Sequence, residues 1–271
     1  MIGDYNMQMF IEVFGREIPG YGLFAAIGLT MVILYLRFQK YYEEMDFDAA
    51  LIALVCAMVG AGIGAKVLYW MTEPESFLII FNSNIEFIKR LEYAFTSGLV
   101  FLGGLIGAGI GIFIFLKTYK NMNALMVLDI FAISIPIIHM FGRMGCFMAG
   151  CCYGRETIWP IGITFPQSGL APHGVKLFPT QLFGVFGNLI IFLILISLSR
   201  KNKEPGRLFG LYLIMYSFGR FVIEFFRGDE FRGLYYGFST SQWLSIPLFG
   251  IGLIVILLLP KINVRNKKNM L

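Results

Sequence analysis

The sequence predicts an all-α integral membrane protein of seven transmembrane helices. It reads as one domain over residues 1–271, with the N-terminus outside and the C-terminus in the cytoplasm. Three observations carry that prediction. Hydrophobic residues make up 57% of the chain, charged residues only 14%, and the mean hydropathy is +0.72; a soluble domain of this size cannot cover so much apolar surface. Seven segments, near 21–39, 48–71, 97–119, 123–145, 179–199, 207–227 and 241–260, have the apolar length of roughly 20 residues that a span requires. Lys and Arg divide unevenly between alternate loops. Twelve, from Arg37 and Lys40 to Lys267 and Lys268, crowd short loops, while nine, from Arg16 to Arg232, spread over longer loops and helix ends. The dense clusters belong on the cytoplasmic side.

Residues 1–20 form an interfacial lead-in ending at Pro19-Gly20. The opening MIGDYNMQMF lacks the basic stretch of a cleaved signal peptide, so the first apolar segment is expected to remain. The second segment carries Cys56 as a small packing residue, and Lys66 near its outer end, where the long stem can snorkel. A long outer loop near 72–96 follows. In the third segment Gly103, Gly107 and Gly111 recur at every fourth position, as Gly60 and Gly64 do in the second. Small residues at that spacing let helix backbones approach closely. Gly103 and Gly104, near the outer end, are also candidates to face a substrate.

The fourth segment holds Asp129, Pro136, His139 and Arg143, and runs into HMFGRMGCFMAGCCYGR at 139–155. A second long outer loop covers 155–178. In the sixth, Tyr216, Arg220, Glu224 and Arg227 are spaced four, four and three apart, which places them on one helical face. A charge at the bilayer centre costs about 2.5–3.5 kcal/mol on insertion scales, so each of these groups needs a reason. Arg220 and Glu224 could simply neutralise each other. Two arginines and a tyrosine on one stripe, facing the same leaflet as Arg143, point instead to an anion.

In a membrane the abundant anion is a lipid phosphate, which guanidinium groups grip through a bidentate fork. The same groups would stabilise charge on a departing phosphate. Pure lipid binding would use the same residues. The net charge of +5 is accounted for by the orienting loops and implies no nucleic acid. Cys146, Cys151 and Cys152 admit three readings: zinc ligation with His139, a disulfide on the oxidising side, or a thiol role in transfer chemistry near Arg143. The spacing C-x4-C-C fits no standard zinc pattern, so no metal is assigned.

Several of these residues fall in motifs that resemble the prolipoprotein diacylglyceryl transferases, seven-helix bacterial inner-membrane enzymes. Tyr21-Gly22-Leu23 is similar to the family's first-helix YGL, and Gly98 to Gly107 to its glycine-rich third-helix run. Gly142-Arg143-Met144-Gly145, Gly150 and Gly154-Arg155 follow the signature GRxGNFxNGExxGR. Pro179-Thr180-Gln181-Leu182 resembles HPTQLYE, Arg220 to Arg227 matches RFxxEFFR, and Gln242-Trp243-Leu244-Ser245 matches QWLS.

The resemblance implies transfer of diacylglyceryl from phosphatidylglycerol to the lipobox cysteine thiol of a prolipoprotein, with glycerol phosphate released and no cofactor. It implies catalytic roles for Arg143, Arg220, Tyr216 and Glu224, and substrate contacts at Arg143, Arg220, Arg227, Tyr21, Gly103, Gly104 and Gly142. Departures from the family pattern are Leu102 and Phe178 for histidines, Cys146 for asparagine, Cys151 for glutamate, and Phe183 and Gly184 for Tyr-Glu. One variant makes Cys146 or Cys151 a transient diacylglyceryl carrier. The competing readings are a lipid-binding, thiol-redox or metal-binding membrane protein, and a related transferase with another acceptor.

Overall fold

The computed structural model describes residues 10–13, 16–39, 45–81, 86–120, 122–165, 170–200, 204–228 and 233–268. Of the charges that set the expected orientation, Lys40, Lys201, Lys203 and Arg232 lie outside the described residues. The chain forms two compact units, one of 1–42 with 125–271 and one of 43–124.

In the first unit the lead-in is a hairpin of β1 (Phe10–Val13) and β2 (Arg16–Pro19), with Phe10 opposite Pro19. Helix α1 (Gly20–Phe38) follows directly.

The second unit contains α2 (Phe47–Thr72), α3 (Pro74–Ile80), α4 (Phe87–Thr96) and α5 (Phe101–Thr118). Asp46 caps α2, its carboxylate accepting from the Ala49 amide at 2.9 Å. The stretch expected as an open loop near 72–96 thus carries two short helices. Pro74 starts one of them at a position where its missing N–H costs nothing. Helix α5 begins four residues later than expected because Ser97 to Val100 is tied to α2. The Val100 amide donates to the Ala65 carbonyl at 3.2 Å, and Lys66 Nζ donates to the Ser97 carbonyl at 2.7 Å. The glycine repeats are the seam between α2 and α5. A Cβ on Gly107 would overlap the Gly60 carbonyl, and one on Gly103 the Gly64 carbonyl.

The remaining helices return to the first unit: α6 (Ala124–Ala149), α7 (Thr180–Ser199), α8 (Arg207–Glu224) and α9 (Thr240–Lys268). Two-residue ladders lie between them, β3 (Ile163–Thr164) with β4 (Lys176–Leu177) and β5 (Leu234–Tyr235) with β6 (Phe238–Ser239). Ala132 and Ile133 of α6, Ile191 and Leu195 of α7, and Leu208, Tyr212 and Leu213 of α8 form the core. Lipid tails are as apolar as these side chains, so their attraction is close packing rather than escape from water. The segment after α6 has its own small core of Phe165, Ala171 and Leu177.

Asp129, the embedded acid of α6, is fully buried. Its carboxylate accepts from the Gly206 and Phe209 amides, each at 2.8 Å. It therefore caps the N-terminus of α8 from another helix, satisfying orphan amides where a negative charge is favoured.

Among the described residues six helices are long and apolar enough to cross a membrane: α1, α2, α5, α6, α7 and Thr240–Leu258 of α9. Among the described residues α8 falls outside that set; it carries Arg207, Arg220 and Glu224 within 18 residues. The protein is a multi-pass, all-helical membrane protein.

Candidate active site

The C-terminal end of α6 sets the site. The helix runs past Gly145 to Ala149 and then stops in a Schellman turn. Gly150 adopts φ +66°, its amide donates to the Phe147 carbonyl at 3.2 Å, and the Cys151 amide donates to the Cys146 carbonyl at 3.1 Å. Gly145 lets α1 close in, since a Cβ there would lie 2.8 Å from Cδ2 of Tyr21. Gly184 of α7 does the same for Arg143, whose Cγ lies 3.1 Å from where its Cβ would be. Arg143 is half-buried and, among the described residues, has no ion pair.

Helix α8 and the turn that follows it supply the other charges. Arg220 pairs with Glu224 at 2.9 Å and donates to the Ser241 hydroxyl at 2.7 Å. Arg227 reaches the same carboxylate at 3.5 Å. Glu224 is only 2% exposed. Tyr216 stacks on Tyr212 and lies 5.2 Å, ring to ring, from His139. Both Arg143 and Arg220 are within electrostatic range of His139, and Arg143 within range of Arg220. Three guanidinium groups against one carboxylate leave two positive charges in excess. A cluster that keeps such an excess away from bulk water can receive an anion.

Three chain segments are knitted together beside these charges. The Gly154 amide donates to the Phe178 carbonyl and the Phe178 amide to the Arg155 carbonyl, at 2.9 and 3.0 Å. On the other side the Arg155 amide donates to the Phe226 carbonyl at 2.9 Å, and Gly228 to Tyr153 at 3.1 Å. Gly154 has no room for a Cβ between Phe178 and Phe226. A largely apolar cavity of about 770 Å³ adjoins this knot, lined by Arg155, Trp159, Phe178, Phe183, Val222 and Phe226.

All four cysteines are free thiols. The sulfurs of Cys146, Cys151 and Cys152 lie within 4.8 Å of one another, and all three residues are half-buried. Thr180 donates to the Cys152 carbonyl at 2.8 Å and Gln181 to the Cys151 carbonyl at 2.7 Å. Cys152 adopts φ +57°, rare for a residue with a Cβ. The thiols of Cys146 and Cys151 pull the Cys152 thiol below its ordinary range by hydrogen bonding, with Arg143 and Arg227 adding to the effect. Cys151 is pushed up by its hydrogen bonds with the Cys146 and Cys152 thiols and by burial.

The structure thus brings together Arg143, Tyr216, Arg220, Glu224, Arg227, Tyr21 and the three cysteines. Tyr21 is 50% exposed, and a Cβ on Gly142 would meet nothing within 4 Å. Gly103 and Gly104 belong to the second unit, where Gly103 packs against Gly64 and Leu68, and Gly104 against Ala65. Leu102 is 40% exposed, and Phe178 packs its ring on Phe226 at 5.6 Å. Sequence reasoning missed Ser241, the hydroxyl partner of Arg220. It also missed what QWLS does. Gln242 and Ser239 form a capping box at the start of α9, the Ser239 amide donating to Gln242 Oε1 at 3.0 Å and the Gln242 amide to Ser239 Oγ at 3.3 Å. The pattern S-x-x-Q before an apolar run was the available signal.

Residues 8–258 match the family model described as Prolipoprotein diacylglyceryl transferase. The chain is 36% identical to a Clostridium tetani protein named Phosphatidylglycerol--prolipoprotein diacylglyceryl transferase, over 91% of this chain and 95% of the relative. A Clostridium perfringens protein, Phosphatidylglycerol--prolipoprotein diacylglyceryl transferase 2, is 37% identical over 87% and 88%. A Chlorobaculum tepidum protein named like the first is 32% identical over 91% and 88%. Taken with the conjunction of α6 and α8 arginines, these matches show that the chain belongs to the prolipoprotein diacylglyceryl transferase family.

Proposed function

We propose that the protein transfers a diacylglyceryl group from phosphatidylglycerol to the lipobox cysteine thiol of a prolipoprotein, releasing glycerol phosphate. It would do so in the bacterial inner membrane as one seven-span domain, with α8 the seventh span, the N-terminus outside and the C-terminus in the cytoplasm. One observation supports this reading: the guanidinium groups of Arg143, Arg220 and Arg227, on α6 and at the end of α8, gather with the single buried carboxylate of Glu224.

Arg143 takes the phosphate of the lipid, because no protein carboxylate among the described residues competes for it. Arg220 assists from α8, its guanidinium held by Glu224 on one side and Ser241 on the other. The acceptor sulfur attacks the glycerol carbon that bears the phosphate, the C–O bond breaks, and its electron pair leaves with glycerol phosphate. The guanidinium groups would stabilise the charge gathered on that oxygen. Glu224 is tied to two arginines and acts chiefly by positioning them. Tyr216, against His139, is placed to pass a proton to or from the headgroup. Tyr21 and Gly142 line the approach, and Gly103 and Gly104 are proposed as substrate contacts. The cavity beside Phe178 and Phe226 suits an acyl chain.

Incubating the purified protein with labelled phosphatidylglycerol and a lipobox peptide tests the reading. Label should move to the peptide thiol; no transfer, under conditions in which the Clostridium tetani relative is active, would overturn it.

A further inference from the structure

We propose that Cys146, Cys151 and Cys152 form a three-thiolate site for a zinc ion whose fourth position is left open for the thiolate of the acceptor. The identity of that fourth ligand rests on the transferase reading; the metal site itself does not.

The geometry is close to what zinc requires. Zn–S bonds of about 2.3 Å in a tetrahedron put sulfurs about 3.8 Å apart, and here all three lie within 4.8 Å of one another. Small side-chain rotations close the difference. The backbone that carries the sulfurs is fixed before any ion arrives. The Schellman turn locks Cys151 to the last turn of α6 through the Cys146 carbonyl. Cys152 is held in a left-handed conformation that residues with a Cβ rarely adopt. The buried side chains of Thr180 and Gln181 grip the carbonyls of Cys152 and Cys151 at 2.8 and 2.7 Å. A loop so constrained by the start of α7 has the outer support that metal ligands need.

Charge also fits. Three thiolates and one divalent ion leave a single negative charge, and Arg143 and Arg227 lie within electrostatic range of Cys152. No histidine or carboxylate joins the cluster among the described residues. Three protein ligands and a vacant fourth place are the pattern of a catalytic rather than a structural zinc.

The vacant place has a use. A thiol that coordinates zinc gives up its proton, and Glu224, the carboxylate nearby, is already engaged by Arg220 and Arg227. On binding, the acceptor thiol releases its proton to solvent and becomes a zinc thiolate. That sulfur keeps a lone pair, which forms the new C–S bond as the C–O bond to phosphate breaks. The ion changes neither charge nor oxidation state.

The test uses the full chain purified in detergent under reducing conditions, without chelator. Elemental analysis should find about one zinc per chain, lost in Cys151→Ser and Cys152→Ser and kept in Cys56→Ser, which lies outside the cluster. Cobalt in place of zinc should give a thiolate charge-transfer band, and its visible spectrum should shift on adding a lipobox peptide but not its Cys→Ser version. Zinc content unaffected by the cluster substitutions, or no zinc while transfer proceeds, overturns the site and leaves the transferase reading standing. Alkylation of a second preparation, purified without reductant and then denatured, should count four thiols; two missing would mean a disulfide and overturn it as well. A cobalt spectrum blind to the peptide removes the acceptor from the fourth position. Zinc bound in a protein that transfers nothing supports the site and overturns the transferase reading instead.

Discussion

Arg220 and Glu224, one helical turn apart on α8, are joined at 2.9 Å with the carboxylate almost wholly buried. A single pair of this kind would be neutral and inert. Arg227 on the same carboxylate, and Arg143 within electrostatic range of Arg220 from α6, make it the positively charged receptor we propose. The distinction between a structural ion pair and a binding site is thus made by the unpaired member.

Glu224→Gln should damage activity through its neighbours. Removing one partner of a buried pair costs about 3–5 kcal/mol of stability. Released arginines shift by enough to lower kcat/KM by about 100-fold. A thermal melt in detergent and steady-state kinetics on the folded fraction check both parts. Unchanged kinetics would mean that Glu224 does not position the arginines.

Arg143→Ala should behave in the opposite way. Its guanidinium has no ion pair among the described residues, so the melting temperature should barely move while lipid transfer is lost. Arg143→Lys keeps a charge but loses the two-pronged grip, and should fall between wild type and alanine. Phosphatidylglycerol binding measured on the same preparations separates affinity from turnover.

Gly184→Val tests the space beside Arg143. Its first added carbon would already stand 3.1 Å from Arg143 Cγ, and the rest would push the guanidinium aside. The apparent KM for phosphatidylglycerol is expected to rise by about tenfold, with the fold retained. Gly187→Val, one turn away with nothing within 4 Å of its Cβ position, should be near neutral.

Much of this was legible from residues alone. The apolar segments gave the helices because span length and hydropathy are local properties. The arginines and Glu224 were readable because a charge in such surroundings needs a partner. The two short helices in the loop near 72–96 were not, since amphipathic runs such as Phe87–Thr96 resemble surface loop in composition. Nor was the knot around Gly154, which is made by backbone groups that carry no side-chain signal. Asp129 stood out as an embedded acid, yet its partners are 77 and 80 residues away and no spacing rule reaches them. The closeness of Cys146 to Cys151 and Cys152 depended on the turn at Gly150, which moves the end of α6 four residues beyond the expected boundary.

Asp129→Ala should cost stability without touching chemistry. Two charge-assisted hydrogen bonds to amides at the start of α8 are lost in a fully buried place, worth about 2–4 kcal/mol. The melting temperature should drop, while kcat/KM per folded molecule holds. A loss of turnover with no loss of stability would contradict the capping role.

The central claim is that Arg143 and Arg220 hold a lipid phosphate while a thiol displaces it. Mass spectrometry of a lipobox peptide after incubation with phosphatidylglycerol, with glycerol phosphate counted in the same reaction, tests this most directly. The account predicts one diacylglyceryl thioether on the cysteine for each glycerol phosphate released, and neither product with Arg143→Ala. Equal yields from wild type and Arg143→Ala, or a thioether formed without glycerol phosphate, would contradict it.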